Sequence, residues 1–239
     1  MMTQIDARDR LIVALDVPSA GEAEALVDCM GDQVRFVKVG LELYTVAGPD
    51  IVRTLVARGK RVFLDLKFLD IEETVRRATA RVAAMGAAFL TIHANRKALI
   101  AAVQGRGQSD LKLLAVTVLT NFDGEDLRDM GFQRTVRDLV TARAMLAAEA
   151  GCDGVVASGE EPEAIRAKVG SNLLIVTPGV RPSGNSTDDH ARVTTPTQTI
   201  AAGADYLVIG RPIRDAQDPP LAAAAILKEM QAAFDRRGA

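Results

Sequence analysis

The stretch GKRVFLDLKFLDIEETVRRATARVAAMGAAFLTIH, residues 59–93, contains the unit that recurs along the whole chain. An apolar run at 61–67 predicts a strand, and a segment of helical period at 71–85 predicts a helix that ends before Gly86. A second apolar run follows at 88–93. Both runs are almost continuously apolar, which is typical of parallel strands buried on both faces. The stretch therefore indicates a strand–helix–strand unit of a parallel α/β protein.

The same unit recurs on both sides of this stretch, and nothing in the composition divides the chain. Eight strands that alternate with eight helices predict a single (β/α)8 TIM barrel, an α/β fold, as one domain over residues 1–239. The predicted strands are 11–16, 34–39, 61–67, 88–93, 111–117, 154–157, 173–176 and 206–209, and the predicted helices are 20–30, 45–58, 71–85, 96–102, 135–150, 162–169, 197–202 and 221–234.

Composition excludes several classes of protein. The 29 basic and 31 acidic residues leave a net charge of −2 without a basic block, which argues against nucleic-acid binding. With 48% hydrophobic residues the chain is not disordered, and its apolar runs are too short to span a membrane. Cys29 and Cys152 are too few for a disulfide scaffold, so we expect a cytoplasmic protein.

Polar residues stand where the predicted strands end, and two connections that follow strands are long, 119–132 and 177–195. In a parallel barrel such ends and loops share one face, where active sites are built. We therefore expect the polar residues to converge on one pocket, although a single one could equally cap a helix. They are Asp16, Lys38, Asp65, Lys67, His93, Thr117, Ser158, Thr177, Gly210 and Arg211.

The densest group of charges follows the third strand. Side chains alternate along a strand, so Asp65 and Lys67 are expected on one face, and Lys38 ends the neighbouring strand. Two amines and two carboxylates, with Asp70 as the fourth group, would then alternate in charge. The alternative interpretation is an internal ion pair with Asp70 as a helix N-cap.

The last two strands end in residues suited to a phosphate. Gly210 allows a ligand to approach the backbone, and Arg211 offers a planar set of donors. Arg181, in the seventh loop, lies in the sequence Thr-Pro-Gly-Val-Arg-Pro and is expected near the same place. The alternative is that both are surface arginines. The two histidines, His93 and His190, form no cluster with metal-ligand spacing, so we expect no metal site.

Six motifs in this order resemble the orotidine 5′-phosphate decarboxylase family over nearly the whole chain. They are Leu15-Asp16, Val37-Lys38-Val39-Gly40, Asp65-Leu66-Lys67-Phe68 with Asp70-Ile71, Val116-Thr117-Val118-Leu119-Thr120, Thr177-Pro178-Gly179-Val180-Arg181-Pro182 and Val208-Ile209-Gly210-Arg211-Pro212. The resemblance implies conversion of orotidine 5′-monophosphate to UMP and CO2 in pyrimidine biosynthesis, in a homodimeric barrel with no metal and no organic cofactor.

The resemblance also implies a role for each matched residue. Lys38, Asp65, Lys67 and Asp70 match the charged catalytic array, with Lys67 as the proton donor to C6 and Asp70 reaching into the partner's site. The remaining matches are substrate contacts: Asp16 and Thr74 at the ribose, Thr120 at the pyrimidine, Arg181, Gly210 and Arg211 at the phosphate, and His190 where the family has a glutamine that bridges base and phosphate.

Some positions depart from the family pattern. Residues 69–74, Leu-Asp-Ile-Glu-Glu-Thr, stand where His-Asp-Ile-Pro-Asn-Thr is common, and Ala94-Asn95-Arg96-Lys97 replaces a run of small residues and glycines. None of these departures falls on the two lysines or two aspartates of the charged array. They concern the entrance to the site.

Two other functions fit the motifs less well. A metal-dependent sugar-phosphate decarboxylase or aldolase of the same barrel superfamily also has an Asp-x-Lys-x-x-Asp element, but such relatives tend to carry an acidic metal ligand where this chain has Lys38. A non-catalytic nucleotide-phosphate binder is suggested by Glu72, Glu73 and His190. Decarboxylation that persists in EDTA would separate the family enzyme from both.

Overall fold

The computed structural model describes residues 5–182 and 194–238, and its eight strands close a parallel barrel in sequence order. Each strand pairs with the next, and the last pairs with the first. The predicted (β/α)8 barrel is therefore confirmed. The strands are β1 (Leu11–Ala14), β2 (Phe36–Val39), β3 (Arg61–Phe68), β4 (Phe89–His93), β5 (Lys112–Val116), β6 (Gly154–Val156), β7 (Leu174–Pro178) and β8 (Tyr206–Ile209).

Helices surround the barrel, and each buries one face against it. Most begin at a residue whose side chain accepts a backbone hydrogen bond, as Ser19 does from the Glu22 amide. They are α1 (Ala20–Met30), α2 (Leu41–Ala47), α3 (Asp50–Ala57), α4 (Glu72–Ala84), α5 (Arg96–Arg106), α6 (Gly124–Asp129), α7 (Val136–Ala150), α8 (Pro162–Val169), α9 (Pro196–Ala201), α10 (Arg211–Arg214) and α11 (Pro219–Arg237). None of these helices is long and apolar enough to cross a membrane.

The prediction of one helix over residues 45–58 is wrong. Two helices, α2 and α3, occupy this region, because Gly48 takes a φ of 62° and Pro49 follows it. A left-handed glycine ends the first helix, and the proline ring fits the start of the second. The long loop predicted at 119–132 also contains α6, whose N-cap Asp123 and third residue Asp126 form a capping box.

Apolar residues form two layers on the two faces of the sheet. The outer layer fills the space between strands and helices and contains most of the buried aliphatic residues. The inner layer fills the barrel and includes four aromatic rings, Phe36, Phe63, Phe89 and Tyr206. Their ring centroids lie 4.9–6.1 Å apart in edge-to-face contacts. Aromatic packing thus closes the base of the barrel and leaves its mouth to polar residues.

Candidate active site

A cavity of about 400 Å³ opens at the mouth of the barrel, at the carboxyl ends of the strands. This is the face where the long connections were expected. Residues within β2 and β3 and residues that follow β1, β5, β7 and β8 line the cavity. Those that carry the argument are Asp16, Lys38, Asp65, Lys67, Thr120, Arg181, Gly210, Arg211 and Arg214.

Four of these residues form a chain of alternating charge along one wall. The Lys38 Nζ lies 2.8 Å from Asp16 Oδ1 and 3.8 Å from Asp65 Oδ2. The Lys67 Nζ lies 3.0 Å from Asp65 Oδ1. Lys38 is only 9% exposed, so its ammonium group is held between two carboxylates and away from bulk water. The predicted contact between Asp65, Lys67 and Lys38 is confirmed.

The backbone around Lys67 differs from the regular strand that was predicted, in which Asp65 and Lys67 share one face by alternation. Strand β3 pairs with β4 at Leu64 and Leu90, then at Phe68 and Ile92, so β3 uses two more residues than β4 over this interval. Lys67 lies in this bulge with a φ of 51°. Such a backbone is uncommon for a residue other than glycine, and outliers of this kind concentrate at functional sites.

Arginines line the cavity next to β7 and β8. Arg181 is 7% exposed, and Arg211 begins the short helix α10 directly after Gly210. The interpretation of both as surface arginines is therefore wrong. Two buried or half-buried guanidinium groups in one cavity supply the donors that a phosphate requires.

Arg214 was missed by the sequence analysis. It lines the cavity and donates from Nη1 to the Asp16 carbonyl oxygen, at 2.7 Å. Its spacing from Arg211 gives a signal, since residues three apart on a helix lie on one side of it.

Two predicted site residues, Asp70 and Thr74, do not line the cavity. Asp70 and Thr74 are exposed, and the Asp70 carboxylate accepts a hydrogen bond from the Ile71 amide at 2.6 Å. The alternative that Asp70 caps α4 is wrong, because Ile71 occupies the N-cap position of that helix. A third predicted residue, His190, lies outside the described residues.

The expectation that every strand end faces one pocket is also wrong. The cavity lining does not include His93, Thr117, Ser158 or Thr177. Val116 and Val176 point into the barrel, so the next residue on each strand points outward to the helices. The hydroxyl of Thr117 accordingly donates to the Val156 carbonyl oxygen at 2.8 Å.

His93 lies behind the charged wall and is partly buried. Burial lowers its pKa below the usual value of 6.5, and the cations of Lys67 and Arg143 lower it further. Asp65 acts in the opposite direction and is the smallest of these influences. His93 is therefore neutral at neutral pH and adds no third cation beside the lysines.

Two of the departures from the family pattern contact each other at the entrance. The Glu72 carboxylate at the start of α4 lies 3.1 Å from the Lys97 ammonium group at the start of α5. Both side chains are exposed, and such pairs contribute little to stability. The substitutions at this rim thus match each other in charge.

Comparison with known proteins identifies the family. The model of the "Orotidine 5′-phosphate decarboxylase / HUMPS family" matches residues 9–226. The chain belongs to this family. Among its relatives, the orotidine 5′-phosphate decarboxylase of Nitrobacter winogradskyi is 54% identical over 224 residues, which are 94% of this chain and 93% of the relative. That of Rhodopseudomonas palustris strain CGA009 is 51% identical over 229 residues, 96% of this chain and 97% of the relative.

The solved structure of the Lactobacillus acidophilus orotidine 5′-phosphate decarboxylase superposes with a TM-score of 0.83 at 35% identity. The match covers 92% of this chain and 98% of that one. The family resemblance inferred from six motifs is thereby confirmed. Both the sequence and the fold match over almost full length, so the (β/α)8 barrel is a family feature of this chain.

Proposed function

We propose that this protein decarboxylates orotidine 5′-phosphate to UMP and CO2, as the last step of de novo pyrimidine synthesis, without a metal or organic cofactor. One observation carries the proposal. The cavity of a member of this family holds the Asp16–Lys38–Asp65–Lys67 chain on one wall and the arginines Arg181 and Arg211 beside β7 and β8.

The charged wall supports the chemistry of the pyrimidine ring. When the bond from C6 to the carboxylate breaks, CO2 leaves and the electron pair remains on C6. The Lys67 ammonium group stabilises this developing negative charge and then donates a proton to C6, and the resulting amine regains a proton from water. Asp65 and Lys38 hold the Lys67 amine in place before the reaction, and such preorganisation is usually the largest catalytic contribution.

The other side of the cavity supports binding of the phosphate. Arg181 and Arg211 form charge-assisted hydrogen bonds with its oxygens, and Gly210 lets the phosphate approach the backbone. Asp16 contacts the ribose, and Thr120 contacts the pyrimidine. Thr74, which is exposed outside its own cavity, would reach a ribose only in the cavity of a second copy of the chain. The phosphate takes no part in the bond breaking, so its binding energy is available to lower the barrier at C6.

The test follows the fall in absorbance of orotidine 5′-phosphate with the purified protein, with and without EDTA. We expect equal turnover in both and much slower turnover of orotidine, which lacks the phosphate. Loss of activity in EDTA would favour the metal-dependent sugar-phosphate decarboxylase or aldolase. Tight UMP binding without CO2 release would favour a nucleotide-phosphate binder.

A homodimer with shared active sites is the second part of the proposal. Asp70 is exposed outside its own cavity, between Leu69, which is 59% exposed, and Ile71, which is 68% exposed. A pair of large apolar side chains around a carboxylate is costly to leave in water, and a second copy of the chain would cover it. Asp70 would then complete the alternating charges in the partner's cavity.

Mixed dimers test this arrangement. A Lys67→Ala chain and an Asp70→Ala chain are each expected to be inactive alone. When they are mixed and allowed to exchange subunits, one site of each mixed dimer carries both substitutions and the other carries neither, so activity returns. Absence of any recovery, with exchange shown by mass, would contradict shared sites. We expect the dimer in the cytoplasm, with a small molecule as its ligand and neither nucleic acid nor membrane.

A further inference from the structure

The bulge of β3 faces one residue of β4, and that residue is Thr91. The bulge spans the interval between the Leu64–Leu90 and Phe68–Ile92 pairs, and Thr91 is the β4 residue inside this interval. Thr91 is fully buried, and it lies on the same inward face as Phe89 because side chains alternate along a strand. A polar side chain therefore stands inside the barrel directly beside the segment that carries Asp65 and Lys67.

The Thr91 hydroxyl contacts both of these residues. Its Oγ1 accepts a hydrogen bond from the Lys67 backbone N–H at 2.9 Å and donates to Asp65 Oδ1 at 2.9 Å. The first bond gives the Lys67 amide a partner at the point where the two strands lose their register. The second is donated to Asp65 Oδ1, the same oxygen that accepts a hydrogen bond from the Lys67 ammonium group.

These contacts fix two degrees of freedom that the reaction depends on. Lys67 is the single residue other than glycine with a positive φ in the described ranges, so its backbone requires support from its surroundings. The Asp65 carboxylate can rotate unless both its oxygens are engaged. Thr91 and Lys67 hold Oδ1, and Lys38 lies 3.8 Å from Oδ2.

We propose that Thr91 is a positioning residue: its hydroxyl holds the left-handed backbone of Lys67 and the rotation of the Asp65 carboxylate, and thereby sets where the Lys67 ammonium group stands. Thr91 does not line the cavity, so it acts through the other two residues. The expected effect on kcat rests on the proposed function. The hydrogen bonds to Lys67 and Asp65 stand independently of it.

The test replaces Thr91 by Val, which keeps the shape of the side chain and removes the hydroxyl. We expect kcat to fall by about 10- to 100-fold, the effect of losing a hydrogen bond to a charged group. The affinity for UMP should stay close to that of the parent protein, because no substrate contact is removed. Thr91→Ser keeps the hydroxyl and is expected to recover most of the loss.

The matched control is Thr79→Val in α4. Thr79 is also fully buried, but its hydroxyl has no hydrogen-bond partner among the described residues, so its removal should leave turnover unchanged. Equal kcat for the Thr91→Val and Thr79→Val variants would overturn the proposal. So would a Thr91→Ser variant as impaired as Thr91→Val, or a loss of UMP affinity in parallel with kcat.

A second measurement does not depend on turnover. Hydrogen exchange of the Lys67 backbone amide should be slow in the parent protein and in Thr91→Ser, and at least about 10-fold faster in Thr91→Val. Rapid exchange in the parent protein would overturn the proposal without any variant, even if Thr91→Val does not fold. If the parent protein released no CO2 while its Lys67 amide stayed protected, the proposed function would fail and the positioning contact would stand.

Discussion

The two ends of the barrel interior use charged residues in opposite ways. At the base, the Arg61 guanidinium lies 4.3 Å from the ring centroid of Phe36, and Arg10 lies 4.7 Å from that of Tyr206. At the mouth, Lys38 and Lys67 lie beside carboxylates around an open cavity. The base cations cover aromatic faces and add to stability. The mouth cations line the cavity that is proposed to bind the substrate.

This difference shows that the position of a basic residue along a strand decides whether it packs on aromatic rings or lines the cavity. Arg61 and Lys67 belong to the same strand, β3, at its two ends. Arg61 contacts the aromatic rings that fill the base of the barrel, and Lys67 lines the open cavity at its mouth. Substitutions at the mouth should therefore lower activity, and substitutions at the base should lower stability.

The largest effect is expected on turnover, from a substitution at the mouth of the barrel. Lys67→Ala removes the ammonium group proposed both to stabilise the developing charge and to donate the proton, so turnover should fall at least about 10³-fold while UMP still binds. Arg61→Ala, the matched removal of a cation from the other end of β3, should lower stability and leave kcat near that of the parent. Steady-state kinetics and UMP titration check both variants. CO2 release by Lys67→Ala at the parent rate would refute its role.

The next effect is expected at the base. Phe89 packs against Phe36, Phe63 and Tyr206, so Phe89→Ala leaves a cavity inside the barrel. The free energy of unfolding should fall by about 3–5 kcal/mol, as measured by urea unfolding. The kcat of the remaining folded protein should be unchanged. A fall in kcat without a loss of stability would show that the two ends are not separable.

A smaller effect is expected for binding at the mouth. Arg211→Ala removes the guanidinium group proposed to bind the phosphate, so UMP should bind about 10- to 100-fold more weakly. Uridine, which has no phosphate, serves as the matched ligand and should bind the variant and the parent equally. Isothermal titration gives both affinities. An equal loss for uridine would place Arg211 at the nucleoside instead of the phosphate.

The smallest effect concerns pH. Since the pKa of His93 in the folded protein is below its ordinary value of 6.5, the unfolded chain binds more protons in the acidic range. Stability should therefore fall as the pH drops below about 6.5 and level off once the folded-state pKa is passed. His93→Gln should remove this part of the slope. An NMR titration of His93 with a pKa above 6.5 would contradict the sign.

The sequence predicted the barrel well because apolar runs and glycine stops are local signals. Each buried strand reads as its own run, and Gly86 ends its helix with a φ of 79°. Three members of the charged wall were also predicted, since Lys38, Asp65 and Lys67 are polar residues at the ends of apolar runs. The fourth member within one chain is Asp16, where Asp70 was predicted. The break at Gly48-Pro49 was missed because the apolar pattern continues through it.

The bulge could not be predicted, since it depends on how β3 pairs with β4 and not on either segment alone. Thr91 was missed for this reason, although its alternation with Phe89 places it inside the barrel. Asp70 illustrates a different limit. Asp70 is proposed to act in the cavity of a second subunit, so the contacts within one chain do not show its role.

The closed order of the strands sets a length requirement for the ligand. In a ring of eight strands, β3 and β7 are four positions apart in either direction, so Lys67 and Arg181 come from opposite walls. A ligand that contacts both residues must reach from one side of the cavity to the other. A ligand shorter than this span would contact only one of the two sides, so strand order contributes to selection by size.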